Sequence, residues 1–138
     1  MRLPTQVEAI VFRRNGDHIE YLMLRRVPER NGFWQPVTGG LEEGETRIEA
    51  LRREIFEEIR VKNLIRIIKN LYRFEFFDPH PNQEYVYGVE ISPRETIVLD
   101  GEEHCEYKWC RLQEALRLLH WKENKEAVKR LDKVLKQR

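Results

Sequence analysis

What the chain lacks narrows its class before any motif is read. It has no apolar run near the roughly 18 residues of a membrane span; stretches such as Leu22 to Leu24 are far shorter, and no apolar signal segment opens the sequence. A membrane partner is therefore not expected, and a cytoplasmic setting is. Cysteine is scarce: Cys105 and Cys110 have no second pair with which to build a four-thiolate zinc site, and in a reducing compartment they stay thiols. An excess of either charge is also missing, since 25 Lys and Arg stand against 24 Asp and Glu, a net charge of +1. No global basic field exists to hold a nucleic-acid polymer, so an anionic ligand must be gripped by locally placed cations, metal or backbone donors. Repeats, low-complexity tracts and Ser/Gly linkers are absent from the 138 residues, which predicts one domain over 1–138. The 41% apolar and 10% aromatic content is enough for a core despite 36% charged residues.

Periodicity supplies the elements. Val7 to Arg13 alternates, meets Asn15-Gly16-Asp17 and resumes from Ile19 to Arg25, the pattern of a hairpin. Pro28 to Glu45 holds Gly32, Pro36, Gly39, Gly40 and Gly44 and reads as a shaped loop. From Thr46 the period becomes helical through Ile48, Leu51, Ile55 and Ile59, with Thr46 and Glu49 placed as a capping box. Strands are predicted over Leu64 to Phe77 and Glu84 to Ile91, joined through Asp78-Pro79-His80-Pro81-Asn82, with a short strand over Tyr107 to Arg111. Helices follow over Gln113 to Leu119 and Glu123 to Lys136, the last turning Ala127, Leu131 and Leu135 inward. Strands flanking one helix, with helices after them, predict an α+β fold with a mixed sheet rather than a βαβ repeat.

The central helix carries Glu54, Glu57 and Glu58 at i, i+3 and i+4, so three carboxylates share one face. Alone they repel by a few tenths of a kcal/mol per pair on an exposed helix. A hard divalent cation reverses that penalty: Mg²⁺ or Mn²⁺ accepts carboxylate oxygens and completes its shell with water and phosphate. A solvated acidic stripe is the bland alternative.

The surroundings decide between them. Gly39, Glu45, Arg53, Glu54, Ile55, Glu57, Glu58 and Val61 fill eight of the nine defined positions of the pattern G-x5-E-x7-R-E-U-x-E-E-x-G-U, with U a bulky aliphatic, over residues 39 to 61. Here the sequence resembles the Nudix hydrolases. The exception is Arg60, where that family usually has Gly; a helix ending there wants positive φ, which Arg adopts at a cost of about 1 kcal/mol. The resemblance implies a Nudix fold, an α/β/α sandwich with a mixed sheet between helices, and hydrolysis of a nucleoside diphosphate linked to another group. It implies Glu54, Glu57 and Glu58 as Mg²⁺ ligands, with Mn²⁺ possible. One of Glu54 and Glu57 would orient or deprotonate water, and Arg53 and Glu45 would orient the carboxylates. In the later loop Glu103 is expected as a further metal ligand or base, with Glu106 as fallback or a plain surface loop as the alternative.

Phe33-Trp34-Gln35 followed by Val37-Thr38-Gly39, Glu103-His104 before Tyr107-Lys108-Trp109, and Trp121 with Asn124 resemble one branch of that family, the dihydroneopterin triphosphate or dATP pyrophosphohydrolases. That branch releases pyrophosphate and leaves a monophosphate. Arg25 and Arg26 then become candidates to hold phosphates. Thr38, Gly39 and Gly40 become the substrate loop, while Trp34, Phe33 or Tyr85 offers a ring face or packs in the core. His104 could assist a metal-bound water, and His80 reads as solvated. A diadenosine polyphosphate hydrolase is the alternative, weakened by Thr38 where those enzymes generally carry Lys; a non-catalytic regulatory module would have lost box carboxylates, and none is lost. The expected partner is a phosphorylated small molecule, with the chain a monomer or homodimer.

Overall fold

The predicted hairpin forms from β1 (Arg2–Asn15), a turn in which Gly16 takes φ +66°, and β2 (His18–Arg26). The structure, a computed structural model, describes residues 2–137. A 3₁₀ turn at Pro28–Arg30 leads into β3 (Trp34–Gln35) and β4 (Val37–Glu42), then α1 (Arg47–Ile59), β5 (Arg66–Phe77), β6 (Pro81–Glu90), β7 (His104–Cys110), α2 (Leu112–Leu118) and α3 (Lys122–Lys136). The segment expected to be loop thus contains two strands. Gly39 and Gly40 are extended there and pair with Val7 and Gln6.

β1 organises the sheet. Along one edge it runs parallel to β6 from Thr5 to Phe12. Along the other, Gln6 to Ala9 pairs with β4 and Phe12 to Asn15 with β2, so β1 and β2 part company after a short ladder. β2 continues between β3 and β7, and β5 closes the far side against β6. One parallel pair among antiparallel ones makes the sheet mixed, as expected.

Both faces are covered, and the period of 2 sorts residues between them. Val7, Ala9, Val11, Leu22 and Leu24 pack under Leu51, Ile55 and Ile59 of α1. Ile10, Phe12, Tyr21 and Met23 pack under α2 and α3 through Ala115, Ala127, Val128, Leu131 and Leu135. The result is a three-layer α/β/α sandwich. Helix α1 begins at the capping box: Glu49 N donates to Thr46 Oγ1 at 3.1 Å and Thr46 N to Glu49 Oε1 at 2.9 Å. It ends on Arg60 at φ 60°, whose N–H reaches Phe56 O, so the left-handed cap expected at this position is present without glycine. No described helix is long and apolar enough to cross a membrane.

Candidate active site

Where β1 and β2 separate, a cavity of about 1120 Å³ opens, reached from both layers of the sandwich. Glu54, Glu57, Glu58 and Glu103 all line it, so the three helical carboxylates and the distal one proposed from sequence are brought together.

Arg53 sets their orientation. Its Nε and Nη2 donate to the two oxygens of Glu45 at 2.6 and 2.9 Å, a bidentate pair, and Nη2 also donates to Gly40 O at 2.8 Å. Nη1 donates to Glu54 Oε1 at 2.8 Å and Glu57 Oε1 at 3.2 Å. Glu45 accepts from Glu42 N as well, and the guanidinium beside it holds its pKa below the ordinary carboxylate value. One guanidinium therefore ties β4, the following loop and two acids of α1 into a rigid unit. Gly39 leaves room for this arrangement, because a Cβ at that position would overlap the Glu54 carboxyl.

Glu58 stands apart electrostatically. It is 1% exposed, and neither of its oxygens accepts a hydrogen bond. Burial first, then the neighbouring Glu54 carboxyl, pushes its pKa far above the ordinary value. His104 Nε2 lies 3.8 Å from Glu58 Oε1, and both ring nitrogens are likewise buried without partners. Burial, then Arg26, pulls the imidazole pKa down to about 4, so it is neutral and offers a lone pair. Glu103 is raised by burial, partly offset by Arg30, 3.6 Å away. Donor atoms of Glu58, Glu103 and His104 fall within 4.8 Å of one another. Oxygen donors with one imidazole nitrogen, several buried and lacking any proton donor, fit a divalent cation.

Of the residues proposed to contact substrate, Arg26, Thr38, Gly39 and Gly40 line the cavity, although the Thr38 hydroxyl is committed to Val7 O at 3.2 Å. Arg25, Trp34 and Tyr85 do not. Arg25 pairs with Trp34 across β2 and β3, which puts both on the side of the sheet carrying α2 and α3. Trp34 packs into that layer's core, while Arg25 points out to Glu106 at 3.4 Å. A bulge at Cys105, between the pairs Arg25↔Glu106 and Arg26↔His104, accompanies the divergence. Tyr85 faces the start of α1, with the Arg47 guanidinium 3.8 Å over its ring in a separate small pocket. Glu106, spent on Arg25, is likewise outside the cavity.

The sequence reading missed Arg30 beside Glu103 and a further group lining the cavity, Glu8, Glu84, Phe74 and Phe76, of which Glu8 is hydrogen-bonded to Asn124. The signal for Glu8 was present: it shares a strand face with Ile10 and Phe12, where a carboxylate is out of place without a purpose.

The NUDIX domain profile matches residues 3–131. An octanoyltransferase of Myxococcus xanthus is 33% identical over 129 residues, 90% of this chain; the chain spans only 35% of that protein. The dihydroneopterin triphosphate diphosphatase of Escherichia coli K12 is 27% identical over 91% of this chain and 89% of its own length. The E. coli dihydroneopterin triphosphate pyrophosphohydrolase structure superimposes with a TM-score of 0.78, covering 93% of this chain and 94% of that one. A Caenorhabditis elegans Ap4A hydrolase complex shares the fold, with a TM-score of 0.84 at 19% identity over 97% and 98% of the two chains.

Proposed function

The chain belongs to the NUDIX domain family and is a hydrolase of phosphoric anhydride bonds, and from that premise we propose that it cleaves a nucleoside or pterin triphosphate to the monophosphate and pyrophosphate. The observation carrying this reading is the convergence of Glu54, Glu57, Glu58 and Glu103 with Arg26 and Arg30 in one cavity large enough for a triphosphate and its ring. Arg26 and Arg30 hold phosphate oxygens from the β2 end. Water oxygen bonds to the α-phosphorus as the α–β bridging P–O bond breaks, and pyrophosphate leaves. The proton passes to a carboxylate oxygen of Glu54 or Glu57, both held by Arg53.

Glu54, Glu57, Glu58 and Glu103 would hold Mg²⁺, or Mn²⁺, for which the His104 nitrogen is the better donor. Such an ion neutralises phosphate charge and lowers the pKa of bound water. Arg53 and Glu45 act as positioning residues.

The test incubates the protein and Glu57→Gln with dihydroneopterin triphosphate, dATP, other nucleotides and diadenosine tetraphosphate, with and without Mg²⁺. Pyrophosphate released from a triphosphate and lost in the variant supports the reading. ATP from diadenosine tetraphosphate selects the alternative favoured by the asymmetrical bis(5'-nucleosyl)-tetraphosphatase of C. elegans, 25% identical over 83% of each chain. No release from any substrate rejects both and favours a ligand-binding regulator.

A further inference from the structure

Besides the metal-type cluster, the cavity is lined by a second, buried acidic pair and by aromatic side chains. Glu8 of β1 is completely buried, yet it lines the cavity. Asn124 Nδ2, from the first turn of α3, donates to Glu8 Oε1 at 2.8 Å, while Oε2 is buried with no donor. Glu84 of β6, 6% exposed, sits one strand over, and its charge acts on Glu8. Phe74, register partner of Glu84, and Trp121, leading into α3, add ring faces to the same cavity. Burial, then the Glu84 charge, raises the Glu8 pKa well above its ordinary value, so this carboxyl gains from any group that brings it an N–H donor. Nothing in the chemistry of phosphate transfer uses this pair, and as a core feature it is costly.

Two carboxyl groups, one with an oxygen that no protein donor reaches, display acceptors side by side in the cavity. Adjacent acceptors match the amino and ring N–H donors that a 2-amino-4-oxo heterocycle, guanine or pterin, presents side by side. Adenine offers an amino donor beside a bare nitrogen and leaves an acceptor of the pair unmatched. We propose that Glu8 and Glu84, braced by Asn124 between aromatic side chains, form a reader of the 2-amino-4-oxo edge that selects guanine or pterin triphosphates over adenine. This assignment rests on the triphosphate hydrolysis proposed above and deepens it.

GTP and ITP differ only in the 2-amino group, which makes them the deciding pair, with CTP reporting on the chemistry alone. The expected kcat/KM for GTP exceeds that for ITP by about 10- to 100-fold, the range for hydrogen bonds to a charged acceptor. In Glu8→Gln and Glu84→Gln the ratio falls to within about threefold, with CTP hydrolysis retained. Thermal melts identify which variants are folded; Glu84→Gln, at the rim of the core, gives an independent reading should Glu8→Gln not fold. A wild-type ratio within threefold, or a ratio unchanged in a folded variant, overturns the proposal. Should no triphosphate be hydrolysed, equilibrium dialysis with guanosine and inosine decides: preference for guanosine lost in Glu84→Gln supports the reader, and equal retention overturns it.

Discussion

Glu58 is kept in the fold at a cost that can be measured. A carboxyl whose pKa rises on folding binds its proton more tightly in the folded chain. Acid therefore favours the folded state, and stability falls as pH climbs above the ordinary 4.5 toward the raised folded value. At pH 7 that interval is 2.5 pH units, and at about 1.4 kcal/mol per unit the folded chain forfeits about 3 kcal/mol. Glu58→Gln keeps the shape and removes the titration. With EDTA at pH 7 the variant should therefore be more stable by about 3 kcal/mol, a rise in Tm of about 10 °C for a domain of this size. At pH 5 the advantage should shrink to about 1 kcal/mol or less, because only half a unit separates the solution from the unfolded pKa. Saturating Mg²⁺ or Mn²⁺ should raise the wild-type Tm and leave the variant nearly unmoved, while hydrolysis is lost in the variant. Urea titrations at both pH values with EDTA give the free energies. An advantage equal at pH 5 and pH 7, or a variant less stable than wild type at pH 7, would refute the reasoning, since either would mean that Glu58 is ionised without penalty in the folded chain.

Arg53→Lys keeps the charge but cannot make the fork to Glu45 while reaching Glu54, Glu57 and Gly40 O; kcat should fall about 10- to 100-fold with KM little changed. Gly39→Ala must push the Glu54 carboxyl aside, since its Cβ would overlap that group; about 100-fold loss in kcat/KM is expected with the circular dichroism spectrum intact. Arg60→Gly relieves a non-glycine residue at φ 60° and should gain about 1 kcal/mol, seen as a Tm higher by about 3 to 4 °C, with kcat unchanged.

Most of the fold was legible because both sheet faces are buried and the chain says so. Val7, Ala9 and Val11 serve one layer, and Ile10 and Phe12 the other. Helix α1 announces its start in Thr46 and Glu49 and its seam in Leu51, Ile55 and Ile59. The misreading of Val37 to Glu42 has a specific cause. Glycine reads locally as a breaker, but Gly39 sits in an extended strand, where a carboxylate occupies the space a Cβ would need. That reason belongs to the partner, Glu54, fifteen positions away, and no local propensity carries it.

The same distinction separates the acids that were found from the ring contacts that were not. Glu54, Glu57 and Glu58 are set by helical spacing and by an Arg53–Glu45 pair inside the same short motif, so sequence alone brings them together. Of the two adjacent arginines predicted, Arg26 lines the cavity and Arg25 does not, and on β6 it is Glu84 rather than Tyr85 that lines it. On a strand covered on both faces, that choice depends on register, and register here is shifted by a bulge at Cys105. Glu8 shows what sequence could have offered in compensation. A carboxylate in line with Ile10 and Phe12 has to be neutralised, paired or matched to a ligand. Asn124 supplies one donor and Glu84 brings a second negative group rather than a cation, so the residue is under-compensated by the protein itself, and a ligand presenting N–H donors is what would complete it.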